Sequence, residues 1–283
     1  MRSGNQHVFP RDHRQFQDLR HRRRPEDDHA QRVHPLIFVE GGTADGREAA
    51  EQLSARGFDV IYSSISDYNA PKPNAHLKWH IGAMDAGELE AFLAESGVTA
   101  VVDGTHPYAK AASANAMAAC AAAKLRYIRF ERPGIGAMAP ALQEAVRHFP
   151  DYDAMVAYLK KAPGNVLTTT GSRELAHYQP LDKKRLYIRV LPTSGVLAKC
   201  EALGYKPSHI VAMQGPFTKA MNAVMIDQFG IRFVTTKDSG DVGGVADKIA
   251  AAKDSGAQVL CVDRPALDYP EIVTNVDELL SRL

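Results

Sequence analysis

The sequence predicts an α/β protein built from two doubly wound domains with parallel sheets. Apolar β-type runs alternate along the body with helical stretches, and the loops between them are short. Four of those runs also end in a polar motif. These are Val39-Glu40-Gly41-Gly42-Thr43-Ala44-Asp45-Gly46-Arg47, Asp103-Gly104-Thr105-His106-Pro107-Tyr108-Ala109, Thr169-Thr170-Gly171-Ser172-Arg173 and Thr235-Thr236-Lys237-Asp238-Ser239-Gly240. Ligands of open parallel sheets gather beyond the carboxyl ends of the strands. Four polar loops there point to an enzyme with one ligand-binding edge, or two that face each other.

In the first half, strands are expected at 36–40, 59–62, 100–103 and 127–130, with helices at 47–56, 87–95 and 108–124. Gly57 and Gly97 stand where a helix usually ends in a left-handed residue. In the second half, strands are expected at 166–169, 186–190, 210–212, 233–235 and 259–262, with helices near 196–203, 219–229, 242–255 and 276–283. Residues 133–150, rich in Gly, Ala and Pro, read as the passage between halves. The expected domains are 35–148 and 149–283.

Residues 1–34 are of another kind. They hold eight Arg, no Lys, five acidic residues and five of the eleven His, with almost no aliphatic side chains. Such a composition cannot bury a core and is expected to be a disordered leader. Its Arg20–Arg24 cluster is diluted by Glu26, Asp27 and Asp28, so an extension from an upstream start codon fits better than a nucleic-acid-binding arm. Without it, 26 basic residues face 28 acidic ones, which gives no support to polyanion binding by overall charge. No apolar run is long enough to cross a bilayer. Cys120, Cys200 and Cys261 lie far apart and read as core residues of a reducing, cytoplasmic compartment.

The loop Gly41-Gly42-Thr43-Ala44-Asp45-Gly46 joins the first strand to the first helix, where dinucleotide folds hold a pyrophosphate. Glycines let the backbone approach the phosphates, and the helix N-terminus offers N–H donors. The spacing departs from G-x-G-x-x-G. Arg47 opens the helix beside this loop. At the end of the second strand, Ser63 and Ser64 replace the acid that NAD-specific enzymes use on the ribose, which favours NADP. Asp103, Thr105 and His106 crowd another strand end, with Pro107 suited to a helix start; a capping role and a catalytic one are both open. The body histidines show no metal-ligand spacing, and Ser172 lacks the G-x-S-x-G elbow. The one Tyr-x-x-x-Lys match, Tyr68 to Lys72, carries Pro71, which an ordinary helix does not tolerate. A nucleotide-binding sensor and an NADP-dependent reductase of a smaller substrate fit the same loops.

Seven motifs in order resemble the precorrin-6A reductase family of cobalamin biosynthesis, cobalt-precorrin-6A reductases included. They are residues 41–47, 103–109, Glu131-Arg132-Pro133, Thr169-Thr170-Gly171-Ser172, Gln214-Gly215-Pro216-Phe217, Thr236-Lys237-Asp238-Ser239-Gly240 and Arg264-Pro265. The resemblance implies two Rossmann-like domains with an interdomain cleft, and NADPH-dependent reduction of one macrocycle double bond. It implies no metal cofactor and a polycarboxylate tetrapyrrole as substrate, exchanged by a monomer with other corrin-pathway enzymes. The cofactor is expected on Gly41, Gly42, Thr43, Asp45, Gly46, Arg47, Ser63 and Ser64. Asp103, His106 and Glu131 are the strand-end groups suited to deliver a proton or position a water, and delivery from solvent fits the sequence equally. Arg132, Arg173, Lys219, Lys237 and Arg264 are expected to meet substrate carboxylates, with Thr105, Thr170, Gly171, Ser172, Ser239 and Gly240 beside them. Asp45 replaces the commoner Glu, Gly104 the commoner Ala, and Ser66-Asp67-Tyr68-Asn69 a usual Gly-Arg, whose task would pass to Arg47 or Lys72.

Deleting residues 1–33 is expected to leave the melting temperature and turnover unchanged. Calorimetry and a steady-state assay of both forms check this, and a clear loss in either would show that the segment docks on the body.

Overall fold

The structure is a computed structural model, and it describes residues 35–66, 70–72, 74–240 and 244–283. The expectations for residues 1–34, and for Asp67, Tyr68 and Asn69, lie outside the described residues. The described chain forms two compact units. One ends at Arg132 and resumes over Ala266–Leu283; the other spans Pro133–Pro265.

The first unit runs β1 (Leu36–Glu40), α1 (Ala44–Ala55), β2 (Asp59–Ser64), β3 (Leu77–Ile81), α2 (Ala86–Ser96), β4 (Ala100–Asp103), α3 (Lys110–Ala123) and β5 (Arg126–Phe130). The second runs α4 (Pro140–Gln143), β6 (Val146–Phe149), α5 (Tyr152–Lys161), β7 (Asn165–Thr168), β8 (Leu186–Val190), α6 (Ser194–Ala202), β9 (Ile210–Ala212), α7 (Lys219–Gln228), β10 (Ile231–Lys237), α8 (Val245–Asp254) and β11 (Gln258–Val262). The chain closes with β12 (Ile272–Val273) and α9 (Val276–Arg282), which belong to the first unit.

Each unit carries a six-stranded sheet. The first has the order β12-β5-β4-β1-β2-β3 and the second β6-β11-β10-β7-β8-β9, with every pairing parallel. Both are doubly wound Rossmann-like sheets, whose direction of winding reverses between β1 and β4 and between β7 and β10. In both, the outermost strand is taken out of chain order. β12 pairs with β5 through Ile272 opposite Arg129, and β6 pairs with β11 through Val146 opposite Val259.

That topology corrects the expected domain limits of 35–148 and 149–283. The passage segment 133–150 contains β6, a strand of the second sheet, and residues 266–283 return to the first. Strands β3, β6 and β12 were not expected. β6 carries Arg147 and His148 on its exposed positions and β12 has two residues, so neither shows an apolar run.

The first core shows the alternation that a sheet covered on both faces requires. Ile37, Val39, Val60 and Tyr62 pack against Ala49, Ala50 and Leu53 of α1 and Leu279 of α9. Phe38, Ile61, Val101 and Tyr127 face Leu89 and Phe92 of α2 and Ala116 and Cys120 of α3. Five of the nine described α-helices start where a side chain accepts a first-turn N–H group. Thr43 does so for α1, Asp85 for α2 in a capping box with Glu88, Asp151 for α5, Thr218 for α7 and Asn275 for α9. Gly97 closes α2 in the left-handed conformation, at φ 73°.

Leu279 of α9 is fully buried in the first core. Leu279→Ala is expected to destabilise the first unit by about 2–5 kcal/mol. Urea unfolding checks this; a change within about 0.5 kcal/mol, typical of surface sites, would place α9 outside the core.

Candidate active site

The glycine-rich turn is tighter than the sequence suggests. α1 begins at Ala44, so only Gly41, Gly42 and Thr43 form the turn, while Asp45, Gly46 and Arg47 lie in the first helical turns. Gly41, Gly46 and Gly104 are required here by contact, Gly42 by its backbone conformation. A Cβ on Gly41 would fall 2.1 Å from the Tyr62 ring, and one on Gly104 would fall 2.5 Å from the Gly46 Cα. Gly42 has φ 97° with open space around it. The Gly41 N–H donates to Ser63 O and the Gly42 N–H to the Tyr62 hydroxyl, at 2.8 Å each. Thr43 Oγ1 accepts from the Gly46 N–H at 3.0 Å and donates to Gly104 O at 2.6 Å, fastening the turn after β1 to the turn after β4. Two backbones therefore meet at the switch point, beside the N-terminus of α1. This is the geometry that admits a pyrophosphate.

Ser63 and Ser64 end β2 and are buried. Ser63 Oγ shares a hydrogen bond with His80 Nδ1 at 3.1 Å, and Ser64 Oγ donates to Ser66 O at 2.7 Å. No described carboxylate ends β2, as expected. Lys72, the other expected phosphate contact, donates its N–H to Glu51 Oε1 at 3.0 Å.

Across β1, β4 and β5, Glu40, Asp103 and Arg129 stand at one register. Asp103 and Arg129 form a buried ion pair at 2.8 Å. Asp103 also accepts from the Thr105 N–H at 2.9 Å, Thr105 Oγ1 at 2.7 Å and the Tyr127 hydroxyl at 2.6 Å. Burial pushes its pKa up. The Arg129 charge and these hydrogen bonds outweigh that and hold the carboxyl below its ordinary range. Arg129 reaches Thr105 O at 3.0 Å and Glu131 Oε2 at 2.7 Å. Asp103 and Glu131 are thus both held by one guanidinium.

Glu40 is different. Its Oε2 is buried with no hydrogen-bond partner. Burial, with the Asp103 charge adding to it and Arg129 opposing, raises its pKa to about 8. A neutral carboxylic acid therefore sits beside an ionised one, the arrangement that separates acid from base roles. Sequence reasoning missed it. The signal was there in a carboxylate closing an apolar strand directly before Gly41-Gly42.

His106 is half-buried in a turn closed by the Ala109 N–H on its carbonyl at 2.7 Å. α3 starts at Lys110, later than the expected 108, because residues 107 and 108 belong to that turn. His106 Nδ1 accepts from the Tyr108 N–H at 3.2 Å, which assigns the proton of the neutral ring to Nε2. Arg132 pairs with Asp45 at 2.6 Å and with Glu48, tying the end of β5 to α1. Its charge is engaged by two carboxylates rather than presented alone.

In the second unit, the ends of β7 and β10 meet. Thr169 Oγ1 donates to Thr235 O at 2.8 Å, and the Tyr178 hydroxyl lies 3.3 Å from Thr170 Oγ1 and 2.8 Å from Thr235 Oγ1. Gly171, at φ 89°, turns the chain into the short 3-10 helix Ser172–Tyr178, on which Arg173 is exposed. Lys237 pairs with Glu174 of that helix at 3.6 Å. Arg264 Nε donates to Asp238 O at 2.9 Å. The Ser239 N–H donates to Lys237 O at 2.9 Å, and Gly240, at φ 69°, passes close to Pro133 O. These expected site residues therefore share one strand-end cluster. Lys219 does not join it by any described contact, since its ammonium pairs with Asp254 of α8 at 2.5 Å on the surface.

The Glu40 shift makes stability depend on pH. The folded state binds the proton more tightly than the unfolded chain. The contribution is fully present below the ordinary carboxyl pKa and is lost as pH rises through about 8. Glu40→Gln is expected to flatten that fall and to be more stable than wild type at pH 8.5 by on the order of 2–4 kcal/mol. Urea unfolding at pH 5 and 8.5 checks it; parallel profiles would mean that Glu40 is ionised and solvated.

Comparison with known proteins agrees with this geometry. The family model described as "Precorrin-6x reductase CbiJ/CobK" matches residues 36–283. The cobalt-precorrin-6A reductase of Priestia megaterium is 33% identical over 253 residues, covering 88% of this chain and 98% of that protein. The precorrin-6A reductase of Rhodobacter capsulatus is 30% identical over 249 residues, covering 87% and 95%. Among solved structures, "CobK precorrin-6A reductase" aligns with a TM-score of 0.72 at 27% identity, over 88% of this chain and 96% of that one. The chain belongs to the precorrin-6x reductase family.

Proposed function

We propose that this chain reduces one carbon–carbon double bond of the precorrin-6A macrocycle, in its cobalt-free or cobalt-loaded form, with NADPH as reductant. The observation that carries the reading is the crevice at the first switch point. There Gly41, Gly42, Gly46 and Gly104 keep two backbones bare beside the N-terminus of α1. When bound, NADPH supplies a hydride. Gly41, Gly42 and Thr43 would hold its pyrophosphate, with Asp45 in the first turn of α1, and Ser63, Ser64 and Arg47 its phosphorylated ribose.

What the chain must add is a proton at the neighbouring carbon and a fixed orientation. Glu40, its pKa raised to about 8, keeps its proton in the neutral range, and His106 carries one at Nε2 on the adjoining loop. Asp103 and Glu131, held by Arg129, act as positioning groups for Thr105 and that loop. Thr105, Thr170, Gly171, Ser172, Arg173, Lys219, Lys237, Ser239, Gly240, Arg132 and Arg264 remain the proposed substrate contacts. The cations among them are suited to carboxylates.

An anaerobic assay with precorrin-6A and each cofactor, following the macrocycle and the nicotinamide by absorbance, tests the activity. NADPH is expected to give the higher kcat/KM. Arg47→Ala should lower the preference by about 10- to 100-fold, the loss of one charge-assisted contact of roughly 1.5–3 kcal/mol. Equal use of NADH by wild type would remove the ribose-phosphate assignment, and an absence of turnover with either cofactor would remove the reductase reading.

A further inference from the structure

The two units treat buried cations in opposite ways. Arg129 of the first unit is buried against two carboxylates. In the second unit Arg189 on β8 and Lys248 in the first turns of α8 are each only 6% exposed, and neither pairs with a carboxylate among the described residues. The Lys248 ammonium donates to Thr236 Oγ1 at 3.3 Å. Arg189 Nη1 donates to Asn222 Oδ1 at 2.7 Å, and its guanidinium stacks on the Phe217 ring with the centroid 3.9 Å away. These contacts are all neutral. Burying a cation without a counter-charge is costly, and here two lie near enough to repel. Burial, with Arg189 and Lys237 adding to it, lowers the Lys248 pKa to about 7. Burial lowers that of Arg189 to about 10. A fold that keeps both against this cost has the electrostatics of an anion site.

Three large apolar side chains are exposed near Arg189. Leu191 follows β8, Met213 follows β9 and Met221 lies in the first turn of α7, at 47%, 42% and 39% exposure. The three belong to one corner of the sheet. Leu191 lies two residues past Arg189, the Met213 N–H donates to Val190 O at 3.0 Å, and Met221 precedes the Asn222 that holds Arg189. All lie at the carboxyl ends of strands, where ligands bind. Exposed methionines make adaptable contacts with flat conjugated surfaces.

We propose that Arg189 and Lys248 form an internal carboxylate subsite of the second unit. It takes one peripheral carboxylate of a flat macrocycle whose face lies on Leu191, Met213 and Met221. This rests on the reductase reading for the identity of the macrocycle, and it assigns two cations outside the strand-end motifs.

The test uses the full chain and uroporphyrin, an octacarboxylate tetrapyrrole that NADPH does not reduce. Its Kd is read by fluorescence, beside the NADPH Kd and the melting temperature. Lys248→Met is expected to weaken uroporphyrin binding by about tenfold or more. The NADPH Kd should not change, and the melting temperature should stay level or rise, because an uncompensated charge has been removed. Arg189→Met should weaken uroporphyrin equally and, having lost its stacking on Phe217, melt lower. A wild-type uroporphyrin Kd in both variants overturns the subsite, as does a clear fall in melting temperature for Lys248→Met, which would make that cation structural. Binding that depends on Lys248 in a chain that does not reduce precorrin-6A keeps the subsite and removes the reductase reading. Turnover of precorrin-6A with an unchanged substrate KM in Lys248→Met does the reverse.

Discussion

The first unit is organised around a single guanidinium. Arg129 is fully buried and meets acceptors in three places: the carboxylate and carbonyl of Asp103 on the neighbouring strand, the carbonyl and hydroxyl of Thr105 in the loop beyond it, and Glu131 at its own strand end. A buried charge left without its partner destabilises strongly, so each of these groups depends on the others. The consequence is positional. Thr105 is fixed, and the loop that carries Gly104 is fixed with it. Gly104 is thereby held against Gly46 and Thr43, and the switch-point crevice takes its shape from a salt bridge on the opposite face of the sheet from α1. Glu40 shows the same economy from the other side. Arg129 is engaged by Asp103 and Glu131, and Glu40, buried at the same register as Asp103, is left to keep its proton.

Much of the fold was legible in the sequence because parallel sheets covered on both faces need long apolar runs. Leu36–Glu40, Ala100–Asp103 and Ile231–Lys237 carry such runs with unmistakable polar ends. The outer strands were not legible, for a physical reason. β6 and β12 pair along one edge only, so their sequences need neither length nor continuous apolarity; Val146-Arg147-His148-Phe149 reads as a loop. The domain limits failed with them, since the membership of residues 133–149 and 266–283 is decided by pairings more than a hundred residues away.

The candidate site was legible where chemistry is written in backbone-shaping residues and less so where it depends on burial. Gly41, Gly42, Gly46 and Gly104 could be picked out because turn and close-contact glycines leave a pattern. That Asp103 is an anchored anion and Glu40 a neutral acid could not, because the difference lies in whether Arg129 points at one or the other. Arg189 in Leu-Tyr-Ile-Arg-Val and Lys248 in Val-Ala-Asp-Lys-Ile-Ala-Ala read as ordinary solvated cations. Only their packing shows otherwise.

The strands taken out of chain order set a sequence of events during synthesis. The second sheet is complete in chain terms once Val262 has emerged, because its outer strand β6 precedes the rest. The first sheet, whose other five strands are made earliest, waits for Ile272 and Val273 to cover β5 and for Leu279 to close its core. On a ribosome the unit that begins first is therefore finished last, with an open β5 edge throughout. An exposed parallel edge invites pairing with other chains. The exposed Arg126 at the start of that strand suits an edge that stays open until β12 is made.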